Sequence, residues 1–272
     1  MMILKTTIVP DGTTRPGTGI LLPRRIIITG ASGALGGTLA RIRAAPDTAL
    51  LLWGRDERRL ALTAAACRSA GADVQTLSID LSDIAAMLAA IAAADTEAPI
   101  DEALLVAGQG DTAAPGARAE DALQVARLGI VNFAAPAALA AALADRMVAR
   151  GQGRIVLIGS AAGFHALPFA PAYAGSKAGL ARFADALRLA VAGQGVQVTL
   201  VSPGFIDWPG GGRQIPRALL MPLPQAARLV LAAADAGRAH AIFPWPFAVL
   251  RLVDRLLPRW LSDRLLLALK PQ

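Results

Sequence analysis

Hydrophobic positions along the chain alternate between two patterns. Short apolar runs at 25–29, 49–53, 73–78, 102–107, 154–159, 196–201 and 239–243 are separated by Ala- and Leu-rich stretches with helical spacing. This alternation predicts parallel strands joined by right-handed helical crossovers. The expected fold class is α/β: a Rossmann-type doubly wound parallel sheet of about seven strands with helices on both faces. Ligands of such sheets bind beyond the carboxyl ends of the strands, so the polar residues at those ends are the candidates for chemistry. Residues 1–23, with Asp11, Gly12, Pro16, Gly17 and Pro23, read as a loose leader. Residues 24–245 read as one domain. Residues 246–272 read as a C-terminal extension of two short amphipathic pieces separated by Pro258.

The first strand runs into Thr29-Gly30-Ala31-Ser32-Gly33-Ala34-Leu35-Gly36, which opens a helix. Glycines let the backbone turn sharply and approach a pyrophosphate, whose charge meets free N–H groups at the helix start. Gly30, Ser32, Gly33, Leu35 and Gly36 are therefore candidate dinucleotide contacts. The second strand ends in Gly54-Arg55, with no carboxylate for the ribose 2′-hydroxyl of NAD. Arg55, assisted by Arg58 or Arg59, suits a 2′-phosphate, so NADP(H) is favoured over NAD(H). At the third strand end Asp80 and Leu81 offer a carboxylate and a backbone amide beside the adenine pocket. The same segment equally suits a helix N-cap.

Composition narrows the class. Hydrophobic residues at 54% and charged residues at 17% exclude a disordered polyelectrolyte. One cysteine, Cys67, excludes an internal disulfide framework, and with only His165 and His240 no metal site is expected. A mean hydropathy of +0.49 raises the question of membrane spans. Ile155–Ser176 is interrupted by Gly159, Gly163, Pro168 and Pro171, and Leu128–Ala144 is short and carries Asn132 and Pro136. They read as strand plus loop and as a buried helix. The opening residues have no long apolar core behind a basic head, so a cytoplasmic protein is expected. The net charge of +7 comes from scattered arginines without a basic run interleaved with aromatics. A solvated arginine-rich surface and no nucleic-acid partner are expected.

The chain's one tyrosine, Tyr173, stands four residues before Lys177, and only Lys5, Lys177 and Lys270 are lysines among 27 basic residues. On a helix this spacing puts phenol and ammonium on one face. An ordinary phenol has a pKa of about 10, and a nearby cation stabilises its phenolate. Ser160, at the end of the fifth strand, is placed to donate a hydrogen bond to a developing alkoxide. Taken singly, Ser160 also reads as a loop cap, Tyr173 as a buried aromatic and Lys177 as a surface charge.

In this order, after a glycine turn, these residues resemble the short-chain dehydrogenase/reductase superfamily, compact single-domain branch. The turn 29–36, Asp80, Asn132, Ser160, Tyr173-x-x-x-Lys177 and Ser202-Pro203-Gly204 carry the resemblance over residues 24–245. It implies an NADP(H)-dependent oxidoreductase interconverting a ketone or aldehyde and an alcohol. Tyr173 would be the general acid/base, tuned by Lys177, which also holds the nicotinamide ribose. Ser160 would polarise the carbonyl, Asn132 would hold a water in the proton relay, and Pro203 and Gly204 would line the nicotinamide side. A homodimer or homotetramer through the helices of Asn132 and Tyr173 is also implied.

Three departures stand out: Ala34 where the compact branch has glycine, Leu105-Val106-Ala107-Gly108 in place of N-N-A-G, and Trp208 where a threonine often follows P-G. Two alternatives follow from them. One is a non-catalytic nucleotide-binding scaffold. The other is an extended-branch sugar-nucleotide epimerase or dehydratase, for whose substrate domain the 95 residues after Lys177 leave little room. Phe164, His165, Leu167, Phe169, Phe205 and Trp208 predict a bulky or lipophilic small-molecule carbonyl or alcohol. The leucine-rich faces of 246–272 need cover. Docking on protein is the first expectation, and peripheral contact with the inner face of a membrane is the second.

Overall fold

The computed structural model describes residues 23–110, 119–207 and 220–268. The expected leader, apart from Pro23, lies outside the described residues, as does Trp208. In chain order the strands are β1 (Arg24–Thr29), β2 (Thr48–Gly54), β3 (Asp73–Ser78), β4 (Glu102–Leu105), β5 (Gly153–Ile158), β6 (Val196–Pro203), β7 (Ile206–Asp207), β8 (Met221–Pro222) and β9 (His240–Phe243). Seven of them form one parallel sheet in the order β3-β2-β1-β4-β5-β6-β9, and the two-residue β7 and β8 pair with each other. The chain steps outward from β1 to β3 and then returns to β4 beside β1. That reversal opens a crevice at the carboxyl ends of β1 and β4.

Helices cover both faces: α1 (Ala34–Arg43), α2 (Glu57–Ser69), α3 (Ile84–Glu97), α4 (Ala122–Gly129), α5 (Ala135–Ala149), α6 (Pro171–Ala190) and α7 (Leu223–Asp235). After β9 follow α8 (Trp245–Leu256) and α9 (Arg259–Ala268). Successive strand side chains point to opposite faces, and β1 divides its isoleucines accordingly. Ile26 and Ile28 join Leu39 of α1, Leu60 and Cys67 of α2 and Val230 of α7. Ile27 joins Met87 of α3, Leu139 and Leu143 of α5 and Leu180 of α6 on the other side. Burial on both faces explains why these strands are continuous apolar runs.

β4 ends two residues before the expected Ala107. The N–H groups of Val106 and Ala107 donate to Thr29 Oγ1, at 3.0 and 3.2 Å, and so leave the ladder. α4 and α5 are continuous through a π-turn at Ile130–Ala134. The helix 122–149 is long and apolar enough to cross a membrane. However, Leu139, Leu143 and Met147 are packed into the sheet core, so it is the buried helix expected there.

The expected solvated arginine surface needs correction. At the amino ends of the strands Glu102 is fully buried, with Arg24, Arg43 and Arg154 at 3.3, 3.0 and 3.6 Å. Asp235 ties Arg43 and Arg154 at 2.7 and 3.0 Å. Asp95 takes Arg150 at 2.9 Å and the Ile100 N–H at 2.9 Å. An unpaired buried carboxylate is costly, so the arginines on Glu102 and Asp95 neutralise charge inside the fold, while Asp235, Arg41, Arg55, Arg58 and Arg59 stay at the surface.

Candidate active site

The glycine turn is shaped by close backbone approach. Gly30 has φ +70°, and a Cβ there would come within 2.9 Å of the Ala107 backbone. A Cβ on Gly36 would overlap the Gly30 carbonyl. Gly33 starts α1 in extended conformation, with no side-chain acceptor on the first-turn N–H groups. A dinucleotide diphosphate fits this cradle, since those N–H groups and the helix dipole favour an anion. Ser32 lies against Gly54, where a Cβ would be 2.6 Å from Ser32 Oγ. Leu35 is half-buried on the core behind the turn.

Arg55 is exposed at the end of β2. With the Gln109 amide oriented to suit its neighbours, both guanidinium nitrogens donate to Gln109 Oε1, at 3.1 and 2.7 Å. The Ser82 N–H, 2.9 Å from Asp80, holds the Asp80 carboxyl below the usual carboxylate range, and the charge of Arg55 adds to this. Asp83, not Asp80, caps α3 by accepting from Ala86 N at 2.9 Å. The N-cap alternative for Asp80 therefore falls. Leu81 is buried. Arg59 is bonded to Asp56, the cap of α2, at 2.7 Å.

On the other side of the crevice Ser160 ends the run of β5. Its Oγ accepts from Ala162 N at 3.1 Å, starting the 3₁₀ turn Ala161–Phe164, and it lies near enough to the Tyr173 hydroxyl to act on its acidity. Tyr173 lies in the first turn of α6, whose leading Pro171 suits a helix start. Lys177, one turn on, is buried and donates to Ile158 O at 2.9 Å. Burial pushes the Tyr173 phenol above its ordinary value, and Ser160 opposes this. Burial also brings Lys177 down to about 8. The expected lowering of the phenol by its neighbouring ammonium is not seen: burial and Ser160 set the shift, and the ammonium is engaged by the Ile158 carbonyl.

Asn132 lies in the π-turn and is fully buried. Its Oδ1 accepts from Gln109 N at 2.7 Å, and its Nδ2 donates to Gln109 O at 2.8 Å and Ser176 Oγ at 3.3 Å. Ser176 Oγ in turn donates to Tyr173 O at 2.9 Å. A Cβ on Gly108 would be 3.1 Å from Asn132 Oδ1 and 3.2 Å from Lys177 Nζ. One loop, 105–109, therefore touches Gly30 on one side and Lys177 on the other. Gln109 joins Arg55 to Asn132, a connection the sequence reading missed. Its position directly after Gly108 was the available signal.

Pro203 and Gly204 end β6, where Gly204 N donates to Phe243 O at 2.8 Å. A Cβ on Gly204 would drive into the Phe247 ring of α8, which meets Phe205 edge-on at 5.8 Å. Phe164, expected to line a substrate pocket, instead lies 5.8 Å from the His240 ring, with the Arg251 guanidinium 4.6 Å over its face. It is a docking ring for α8. His165 stands edge-on to Phe164 at 6.4 Å.

Arginine has only donors, so Arg251, 3.0 Å from His240 Nδ1, requires that nitrogen unprotonated. The His240 proton is then on Nε2, which donates to Ser202 Oγ at 2.9 Å. Burial first and Arg251 second lower His240 to about 4, with Asp185 acting the other way. Between about 6.5 and about 4 the unfolded chain takes up a proton that the folded chain refuses, so stability falls as pH falls through this window. His240→Gln is expected to flatten that slope, measured as urea midpoints at pH values spanning it. An unchanged slope would contradict the neutral His240.

The family model of short chain dehydrogenases matches residues 24–215. The chain belongs to the short-chain dehydrogenase/reductase family. It is accordingly an NAD(P)-dependent oxidoreductase working between ketones and alcohols, and the scaffold alternative gives way to an enzyme. An uncharacterized oxidoreductase from Myxococcus xanthus is 32% identical over 242 residues, covering 88% of this chain and 95% of that protein. A short-chain dehydrogenase from Sphingobium yanoikuyae, solved in complex with NADPH, is 28% identical with a TM-score of 0.75, covering 85% of this chain and 94% of that one. The bulky-bulky ketone specific alcohol dehydrogenase from Comamonas testosteroni is 26% identical with a TM-score of 0.73, covering 83% and 87%.

Proposed function

We propose that the chain is an NADP(H)-dependent oxidoreductase that interconverts a bulky, lipophilic ketone or aldehyde and its alcohol. The observation carrying this reading is the placement of Tyr173 in the first turn of α6 beside Ser160, with the buried Lys177 one turn on and loop 105–109 reaching from Lys177 to the glycine turn. A nicotinamide coenzyme held by the glycine turn and Lys177 would supply the hydride chemistry. Ser160 Oγ donates to the carbonyl oxygen as negative charge develops there. The Tyr173 phenol, kept protonated by burial, gives its proton to that oxygen in reduction and recovers one in oxidation. Lys177, at about 8, keeps most of its charge at neutral pH and serves the ribose hydroxyls and the phenol from one face. Asn132 holds Gln109, and through it the loop that separates the two halves of the site.

The NADPH bound to the Sphingobium protein and the ketone range in the Comamonas protein's name support the coenzyme and substrate parts of this reading. Arg55, exposed and beside the cleft, is the residue for the 2′-phosphate. NADPH is expected to bind more tightly than NADH, and Arg55→Ala to narrow the ratio by about 10–100-fold, the value of a hydrogen bond to a charged group. Fluorescence titration checks this, and equal affinities in the parent protein would defeat it. A screen of bulky ketones followed by NADPH absorbance tests the substrate class. Turnover confined to small charged hydroxy acids would refute it.

The enzyme is further proposed to work in the cytoplasm as a homodimer or homotetramer. An apolar groove of about 680 Å³ lined by Val125, Phe133, Gly175 and Gly179 supports association through the helices carrying Asn132 and Tyr173.

A further inference from the structure

Helix α8 is turned the unusual way round. Trp245, Val249, Leu252 and Leu256 recur at i, i+4, i+7 and i+11, which puts them on one stripe of the helix. All four are exposed, from 47% at Val249 to 77% at Leu256. The opposite face carries Phe247 against Gly204 and Arg251 against His240 and Phe164, and these contacts fix the helix on the protein. The guanidinium points inward and the apolar stripe outward. In α9, Trp260 and Leu267, seven residues apart on one face, are each 62% exposed, and Arg264 lies over the Trp260 ring at 5.8 Å.

The geometry points to α8 and α9 as a membrane-docking element that lies in the surface of an anionic lipid bilayer. Neither helix can cross it: α8 has 12 residues and α9 has 10, against the roughly 20 that a span needs. A helix with Trp and Leu on one side and arginines among its polar residues suits the headgroup boundary instead. Charge favours that occupant over a second copy of the chain. Residues 245–268 hold four arginines, Arg251, Arg255, Arg259 and Arg264, against Asp254 and Asp263, and the whole chain carries +7. Two α8–α9 faces set against each other would bring like charges together, while an anionic leaflet attracts them. Half of the chain's four tryptophans, Trp245 and Trp260, lie in these two helices, as expected of interfacial anchors. The inference is independent of the substrate assignment, although Phe205 and Phe247 would place the nicotinamide side of the cleft next to the lipid surface.

The test uses the full chain in flotation with phosphatidylcholine vesicles and with vesicles containing added phosphatidylglycerol. The parent protein is expected to float with the anionic vesicles and to be released by salt. A Leu252→Glu/Leu256→Glu double variant, altered only at exposed positions, is expected to lose about tenfold or more in partitioning. Circular dichroism and molecular mass in solution should be the same in parent and variant. Quenching of tryptophan fluorescence by brominated lipid should weaken in Trp260→Phe. A parent chain that stays unbound, or a variant that floats as well as the parent, would overturn the inference. So would a change of molecular mass on substitution, which would give the stripe to a second copy. Absence of ketone turnover in a chain that still floats would sink the reductase reading and leave the docking surface standing.

Discussion

Replacing Tyr173 by Phe is expected to cut turnover by about 10²–10⁴-fold, the usual worth of a positioned general acid or base, and to leave coenzyme affinity nearly unchanged. The hydroxyl is the one group lost. The ring keeps its place in the first turn of α6, and Lys177 keeps its bond to Ile158 O, so neither the fold nor the coenzyme cradle should feel the change. The Ser160 hydroxyl retains the Ala162 N–H and remains ordered. Steady-state rates with NADPH and a bulky ketone, beside a fluorescence titration of coenzyme, separate the two effects. A fully active variant would remove Tyr173 from the reaction. A variant inactive because it no longer binds coenzyme would move Tyr173 from proton transfer to binding.

Gly36→Ala should produce the second large effect, on the coenzyme instead of the proton. The added methyl would overlap the carbonyl of Gly30, backbone against the start of a helix, where no flexible side chain can yield. α1 must shift or the turn must open. Either movement takes the first-turn N–H groups away from the phosphate position, and misplacement by about 1 Å can cost about 10²-fold. Coenzyme affinity is expected to fall by about that factor, with kcat at saturating coenzyme falling less. Titration of NADPH against both proteins measures it. Equal affinities would mean that the diphosphate is held elsewhere.

The sheet was legible because its strands are buried on both faces. Ile26-Ile27-Ile28 and Leu50-Leu51-Leu52 feed both cores, and such runs stand out without any periodicity. Tyr173 and Lys177 were legible for a different reason: rare residue types at a helical spacing carry information that a common alanine cannot. What escaped the sequence depended on distance in space. The π-turn at Ile130–Ala134 hides inside an apolar stretch whose pattern continues through it. Gln109 works through its main chain and amide, and neither advertises a role. Phe164 looked like pocket lining because Arg251, which stacks on it, comes from the far end of the chain. The arginines looked like solvated surface because Arg43 meets Asp235 only after the sheet has formed. The direction of the Tyr173 shift depends on burial, and spacing says nothing about burial.

The clamp of Glu102, Asp235 and their arginines has a consequence for how this architecture can change. It closes the amino ends of the strands, while the turn, the hydroxyl pair and α8 gather at the opposite rim, about 20 Å away along a six-residue strand. Rigidity and chemistry thus occupy separate ends of the molecule. Residues at the rim can diversify toward new substrates without loosening the charged base on which the strands stand.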